Sequence, residues 1–503
     1  MKTDVLIVGA GPTGLVLALW LTKQNVAVRI IDKTAEAGTA SRALGVQART
    51  LELYRQMNLS DEVVAAGQPN PIMNLWSDGK KRAHVSYSDV GEQVTPYPYI
   101  LLYPQDQHER LLIQHLEKLG IQVERNVELV SFEDQQEKVV SQLKTVAGMI
   151  SCESRYVAAC DGAKSTVRHI LGTDFSGGTY PQIFYVADVD VEGAAVDGQV
   201  HLALDDADIM MMLAYGDLGQ ARLIGIVNQD KIHKAPLTFD DVSDKAIKSL
   251  GLTVNKVNWF STYRVHHRVA KDYRHGNVFL LGDAAHLHSP IGAQGMNTGI
   301  GDAINLAWKL ASVIQGHADQ SLLNTYQIER HTFAEKLVKT TDQMFSFMVA
   351  DNPLTKVLRA KVAPIIAPLI YNIDFVRKHM FKIMSQISLS YENSPLSLGK
   401  VGKIEAGQRL PWLKTASVDN FDSLNQMIWQ IHVYGQVTAD VQQWAVQHHI
   451  VIQQFAWQAE FKHAGFTEDM VILLRPDSYI AVVSCAEDAV DLLQQVTELY
   501  HFH

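Results

Sequence analysis

The chain has 503 residues, 47% of them hydrophobic and 19% charged, a balance that fits a protein folded in two or three domains rather than around one core. Its formal charge of -10 excludes the broad basic face that a phosphate backbone requires, so nucleic acid is not an expected partner. The three cysteines, Cys152, Cys160 and Cys485, stand at no metal or redox spacing, which argues against a disulfide framework and fits a reducing cytoplasm.

In chain order, Asp4 to Val8 is a short apolar run that ends in glycines. Leu15, Leu19 and Trp20 follow at helical spacing, and then Val26 to Ile31 with Asp32 at its end. This predicts a strand, a helix and a second strand. The apolar stretch Val5 to Leu21 is broken by Gly9, Gly11, Pro12 and Gly14 and carries no small-residue cleavage site, so a secretory leader is not expected. His108 to Leu119 reads as an amphipathic helix, and Val123 to Leu143 alternates as strands do. Between Pro181 and Trp259 short β-like runs recur, among them Ile183 to Val189, Ile209 to Leu213 and Ala221 to Val227. Met296 to Met384 is helical in pattern, with Leu306, Leu310, Val313 and Ile314 on one face. No segment reaches the roughly 18 apolar residues of a membrane span. The nearest approach, Ala363 to Ile373, contains Pro364 and Pro368. A break from Glu392 to Gly407 precedes a strand and helix mixture comprising Met427 to Val433, Val471 to Leu474, Ile480 to Val483 and the helix Asp488 to Tyr500. The expected organisation is α/β, with domain ranges 1–180, 181–270, 271–390 and 391–503.

Three motifs carry the chemistry. In Gly9-Ala10-Gly11-Pro12-Thr13-Gly14, Gly9 permits a tight turn, Gly11 admits a pyrophosphate to the backbone, and Gly14 lets helix approach strand. The helix start offers free amides to phosphate oxygens. Asp32 is placed to accept from a ribose 2′-hydroxyl, and its charge disfavours a 2′-phosphate, so FAD or NAD suits this pocket better than NADP. In the third motif, Val278 to Leu281 is a buried strand and Gly282-Asp283 ends it. A glycine-rich loop from Ala284 to Gly299 then leads into a long helix, whose first amides suit the anionic N1 and O2 edge of a reduced flavin. The middle motif, Asp161-Gly162, follows the strand Tyr156 to Ala159 and opens a helix. His286 with His288, and His266 with His267, lack acidic or sulfur partners at ligand spacing, so no metal is expected. Met344, Phe345, Phe347 and Met348 are expected to pack a core.

Together the three motifs resemble the signature of the single-component FAD-dependent aromatic hydroxylases, the class A flavoprotein monooxygenases that include the para-hydroxybenzoate, phenol and polyketide hydroxylases. The match runs from Gly276 through Trp308-Lys309-Leu310 to Glu329-Arg330, with Ala293 where many members have glycine. The resemblance implies a Rossmann-like FAD-binding domain, an inserted β-sheet substrate domain, a helical segment and a small thioredoxin-like C-terminal domain. It implies that Asp283 binds the ribityl chain and that Pro290, Gly295, Met296 and Asn297 lie beside the isoalloxazine. It places Arg42, within Ser41-Arg42-Ala43, and the pair Gln105 and Glu109 where members contact flavin, and links Asp161 to both FAD and the nicotinamide. NADPH or NADH would reduce the FAD transiently, dioxygen would add at C(4a), and the hydroperoxide would hydroxylate an aromatic ring beneath the sheet. Arg42 and Arg168 are candidates for the nicotinamide phosphates. Tyr185, Tyr215 and His201 are candidates for the substrate base, with no choice among them. Gly407-Gln408-Arg409-Leu410-Pro411 and Leu474-Arg475-Pro476-Asp477-Ser478-Tyr479 resemble motifs of the thioredoxin-like tail, with Ser478 in a glycine's place. Without a Cys-x-x-Cys the tail is a structural element or an interface for a homodimer. Alternatives are an antibiotic-inactivating monooxygenase of the tetracycline type, a flavin reductase or dehydrogenase without oxygen insertion, and a non-catalytic flavin-binding module. The Trp-x-Trp-x-Ile-Pro element of flavin halogenases does not occur.

Overall fold

The computed structural model describes residues 2–38, 43–70, 72–77, 79–86, 88–193, 195–204, 209–215, 219–227, 236–242, 244–289, 294–349 and 374–500. Its first sheet is built on parallel strands in the spatial order Val278–Leu280, Gly148–Ala159, Lys2–Val8, Val28–Asp32 and Val123–Arg125. The central strands are apolar on both sides because both faces are covered. The helix Pro12–Lys23 starts with proline at its first turn and is buried continuously from Gly14 to Leu21. It is apolar all round because the helices Gln105–Lys118 and Gly295–Ile314 flank it on the sheet. Register brings Val8 level with Ala159 and Ile31, and Ala159 level with Leu280. Adjacent strands therefore end side by side at Gly9, Asp32, Cys160 and Leu281. In parallel α/β sheets that edge is where ligands bind.

A second, mostly antiparallel sheet has eight strands, in the order His286–Leu287, Leu252–Ala270, Phe175–Gly193, Gln220–Ile226, Ile209–Ala214, Val200–Leu204, Ile72–Ser77 and Lys80–Ser86. The last two come from the first part of the chain, outside the 181–270 range expected of this sheet. Their place is set by parallel pairing of Met73 with Val200 and Leu75 with Leu202. Side chains alternate between two faces. Tyr185, Ala187 and Val189 pack with Met210, Met212, Ala221 and Leu223 beneath the helix Asp244–Ser249. On the other face Val200, Leu213, Met211, Tyr215 and Ile224 meet Leu44, Ile100 and Leu102 of the first domain.

The C-terminal four-stranded sheet has the order Val451–Phe455, Gln430–Tyr434, Met470–Leu474 and Ile480–Cys485. The first pair is parallel and the other pairs are antiparallel, with helices Ala439–Gln447 and Ala489–Tyr500, the thioredoxin-like arrangement expected. The segment read as a break is stitched to this sheet instead. Leu398 bridges Val482, and the Gly407 amide donates to the Ile480 carbonyl at 2.7 Å.

The tail is joined to the first domain by buried charge. Glu329, fully buried, accepts from Lys309 Nζ at 2.8 Å, Asn305 Nδ2 at 2.6 Å, Ser394 Oγ at 2.6 Å and Arg475 Nη1 at 2.7 Å. Arg475 also donates to Asp477, whose Oδ2 receives Trp308 Nε1 at 2.9 Å. Arg49 donates from Nη2 to the Asp477 carbonyl at 2.8 Å and from Nη1 to Glu52 at 3.1 Å. Burial pushes the Glu329 carboxyl up, but the adjacent Arg475 and Lys309 outweigh it and hold the group ionised well below the ordinary carboxylate range. Removing one member would strand its partners in a dry interior, at about 3–5 kcal/mol.

Two fully buried histidines, His108 and His432, are pushed by burial down to about 4 and about 3. Both stay neutral in the folded chain where the unfolded chain titrates near 6.5. The unfolded state therefore binds more protons below pH 6.5, and stability is lost as pH falls from there toward 4. Urea unfolding between pH 7 and 4.5 should show a falling midpoint, each histidine contributing up to ~3 kcal/mol over the window. His432→Phe should flatten that slope; an unchanged slope would contradict the assignment.

Candidate functional site

The three motifs form one packed junction. Gly9 has φ +104°, and a Cβ there would lie 2.3 Å from the Cys160 carbonyl oxygen, so the first motif is seated directly on the second. A Cβ on Gly14 would lie 2.0 Å from the Gly9 oxygen. Thr13 fits between the third motif and its helix: a Cβ on Gly282 would come within 2.8 Å of Thr13 Oγ1, and one on Gly299 within 2.4 Å. Gly11 is different. A Cβ there would meet nothing within 4 Å, and its backbone is extended, so its lack of a side chain is not demanded by the fold. Beside it the first turn of Pro12–Lys23 has no side-chain cap, which leaves amides directed at open space. A pyrophosphate fits that cradle.

Asp32 lies at the end of its strand with Oδ2 accepting from the Ala10 amide at 2.8 Å and Oδ1 from Thr34 N at 2.8 Å and Thr34 Oγ1 at 2.6 Å. These bonds tie it to the glycine turn and leave acceptor capacity on Oδ2. Asp161 accepts from the Val167 amide at 3.2 Å through Oδ2, while its buried Oδ1 has no partner among the described residues. That oxygen fits a hydroxyl donor from a bound group. Asp283 opens a 3-10 turn with its side chain exposed at the same edge. Gly295 and half-buried Met296 start the long helix, where amides lack a carbonyl one turn back.

Other predicted residues are engaged by the protein. Asn297 is 1% exposed; its Oδ1 accepts from Gln47 N at 2.9 Å and Thr50 Oγ1 at 2.7 Å, and its Nδ2 donates to Gly45 O at 3.0 Å. The side chain thus fixes the helix start against residues 45–50. Gln105 accepts from the Ala43 amide at 3.1 Å and donates to Glu109 at 2.8 Å, and Glu109 lies beside Gly38, where a Cβ would be 3.9 Å from its Oε2. Burial raises the Glu109 carboxyl. Gln105 and Glu109 thus lie against the residues on either side of 39–42; Ser41 and Arg42 themselves lie outside the described residues, as do Pro290 and Ala293. The side chains of Met344, Phe345, Phe347 and Met348 also lie outside them.

Arg168 does not suit the role of meeting nicotinamide phosphates. It is 5% exposed, donates to the carbonyls of Ala284 at 2.9 Å and Ala163 at 2.7 Å, and stacks on Phe175 at 3.9 Å. It is a brace between the second and third motifs. The base candidates separate by face. Tyr185 lies on the helix-covered side, and His201, 1% exposed, sits between Trp76 Nε1 at 2.9 Å and Asp197 at 2.7 Å on that side too. Tyr215 alone of the three lies on the face toward the first domain.

Sequence reasoning missed Asp302. It is fully buried; Oδ2 accepts from the Gly282 amide at 2.9 Å and pairs with His286 Nε2 at 2.7 Å, and Oδ1 accepts from Arg330 Nε at 2.6 Å. Burial pushes its carboxyl up, but Arg330, His286 and the Gly282 amide prevail and hold it below the ordinary value. Arg330 also donates to the Thr298 carbonyl at 3.0 Å and to Tyr391 Oη at 2.9 Å. The available signal was polar: Asp302, Asn305 and Lys309 recur at helical spacing on an otherwise apolar helix. Among the described residues no cluster of His, Cys, Asp and Glu is arranged to hold a metal. His286 is held by Asp302, and His266 by Thr179 at 2.7 Å. A cavity of about 320 Å³ opens between Thr332–Val349 and residues 383–394, and Gln294, at the end of the third motif's loop, is among its lining residues.

This arrangement of strand ends, glycine turn and acids defines a flavin nucleotide-binding protein. The FAD binding domain family model matches residues 2–341, and the chain belongs to that family. The chain is 33% identical over 408 residues to 6-methylpretetramide 4-monooxygenase of Streptomyces rimosus, covering 79% of this chain and 71% of that protein. It is 33% identical over 345 residues to rifampicin monooxygenase of Rhodococcus hoagii, covering 67% and 70%. Among solved structures, OxyS anhydrotetracycline hydroxylase from Streptomyces rimosus superposes with a TM-score of 0.79 at 25% identity over 99% of both chains. The protein is an FAD-dependent monooxygenase of the aromatic hydroxylase class. No helix among the described residues is long and apolar enough to cross a membrane.

The two glycines make a paired test. Gly11→Ala should leave apoprotein stability within about 0.5 kcal/mol, as an open position allows, yet weaken FAD binding at least ~10-fold by filling the cradle. Gly9→Ala should destabilise the fold by ~2 kcal/mol or more, from positive φ and the clash together. Unfolding curves and a flavin fluorescence titration read both.

Proposed function

We propose that the protein uses NADPH or NADH and dioxygen to hydroxylate a phenolic or polyketide-like ring held between FAD and the flavin-facing side of the second sheet. The observation that carries the cofactor placement is Gly11: it alone of the fingerprint glycines is open where a pyrophosphate would lie. In this reading Gly9, Gly11, Pro12, Thr13 and Gly14 receive the pyrophosphate, and Asp32 the adenosine ribose. Asp161 and Asp283 accept from the ribityl hydroxyls. Backbone at Pro290, Gly295, Met296 and Asn297, with Arg42, borders the ring system, and Gln105 acts by fixing the ends of the Arg42 segment. FAD supplies the redox chemistry and oxygen activation. The chain supplies orientation, a dipole at the helix Gly295–Ile314 for developing negative charge, and a roof that excludes water.

Relatives named for 6-methylpretetramide, rifampicin and pentachlorophenol support an aromatic substrate. The rifampicin relative also supports a second reading, monooxygenation of an antibiotic. The free thiols Cys152, Cys160 and Cys485 support a reducing cytoplasm. The purified protein should be yellow with one FAD per chain. Aromatic substrate should accelerate NAD(P)H oxidation, with one atom of ¹⁸O₂ appearing in the product. Stimulated oxidation that yields only hydrogen peroxide with every aromatic compound offered would contradict the reading.

A further inference from the structure

The flavin-facing side of the second sheet carries an internal charge pair. Alternation puts Phe184, Val186 and Asp188 on this side of their strand, and pairing sets them beside Ile226, Ile224 and Arg222 of the next. Leu213 and Tyr215 follow on the neighbouring segment. Arg222 is 1% exposed and donates to Asp188 twice, Nε to Oδ1 at 2.8 Å and Nη2 to Oδ2 at 2.8 Å. The Tyr215 ring lies beside the pair, its centroid 5.8 Å from Arg222 Cζ. Burial and the Asp188 carboxylate raise the Tyr215 phenol well above its ordinary value, so it remains neutral. Around this triad the face carries Met211, Ile224, Leu213, Phe184 and Tyr263, whose phenol burial pushes up to about 12, with Ser261 beside Val186 and Trp259 beside Asp188. Asp190, further along the face, is bonded to Asn258 at 2.8 Å.

Resting on the reading that substrate lies under this sheet, we propose that the site accepts a flat, uncharged aromatic and discriminates against one that bears a carboxylate. The reason is that Asp188 already holds the guanidinium edge that a ligand carboxylate would use. A bidentate Arg–carboxylate fork is the arrangement by which proteins recognise carboxylates. Here the fork is closed by the chain's own acid. A second carboxylate brought alongside would face Asp188 as a like charge and would lose hydration that the engaged Nε and Nη2 edge of Arg222 does not replace. A neutral ring instead gains contact with methionine and aromatic side chains that accommodate planar ligands.

The FAD-loaded protein can be titrated with 1,8-dihydroxyanthraquinone and its 3-carboxylic acid, following the flavin absorbance change. The neutral compound should bind at least ~10-fold tighter, a preference of about 1.4 kcal/mol. Asp188→Asn should shrink that ratio by opening the Arg222 fork. If that variant does not fold, the double variant Asp188→Leu with Arg222→Met, in which the buried pair becomes apolar, should retain the preference. Equal affinity, tighter binding of the acid, binding of neither compound, or an unchanged ratio in a folded Asp188→Asn protein overturns the proposal. The readout is binding without turnover. Selective binding with no oxygenated product would therefore count against the monooxygenase chemistry alone.

Discussion

Thr13 occupies a space that a methyl group on Gly282 or Gly299 would close, while Gly9 leaves no room for one against Cys160. This interlock is what the rest of the site depends on. Three segments widely separated in sequence meet there, and Gly9, Gly282 and Gly299 are each required by a residue of another segment. The sheet brings them near because adjacent parallel strands end level. The glycines then let the turns touch instead of merely neighbouring each other. The open space at Gly11, and the Asp161 Oδ1 near the same edge with no partner among the described residues, are left over from that packing.

Buried ions hold the junction from behind. Asp302 receives the Gly282 amide and is held by Arg330, whose other nitrogens reach Thr298 and Tyr391. Tyr391 stacks near Tyr479 at 4.4 Å, and the neighbouring Glu329 gathers Lys309 and Arg475. The thioredoxin-like tail is thereby continuous with the helix that starts at Gly295. Such ions add little net stability over apolar replacements, but they tolerate few alternative geometries.

Much of this was legible in sequence where the requirement is local. The glycine fingerprint, the acid at the end of the second strand and the Gly-Asp strand end are dictated by turn geometry and hydrogen bonding within a few residues. The thioredoxin-like strands were legible as apolar runs, although the helix Ala439–Gln447 and the strand Val451–Phe455 were not singled out. The strands Ile72–Ser77 and Lys80–Ser86 were missed because their membership of the second sheet is settled by pairing with Val200–Leu204, far along the chain. Arg168 and Gln105 show the same limit from another side. Sequence marks a polar residue near a site, but whether it faces ligand or braces backbone depends on which carbonyl or amide comes within hydrogen-bond reach. For Arg168 that is Ala284 and for Gln105 it is Ala43. Among the base candidates, alternation could assign relative faces within one strand, yet only the sheet shows which face the helix Asp244–Ser249 covers.

Amide hydrogen exchange with and without FAD tests the central claim most directly, since it reports on all three segments at once. FAD should slow exchange together in residues 9–14, 161–168 and 282–299. Protection confined to residues 9–14 and the neighbourhood of Asp32, with the other two segments unchanged, would contradict it.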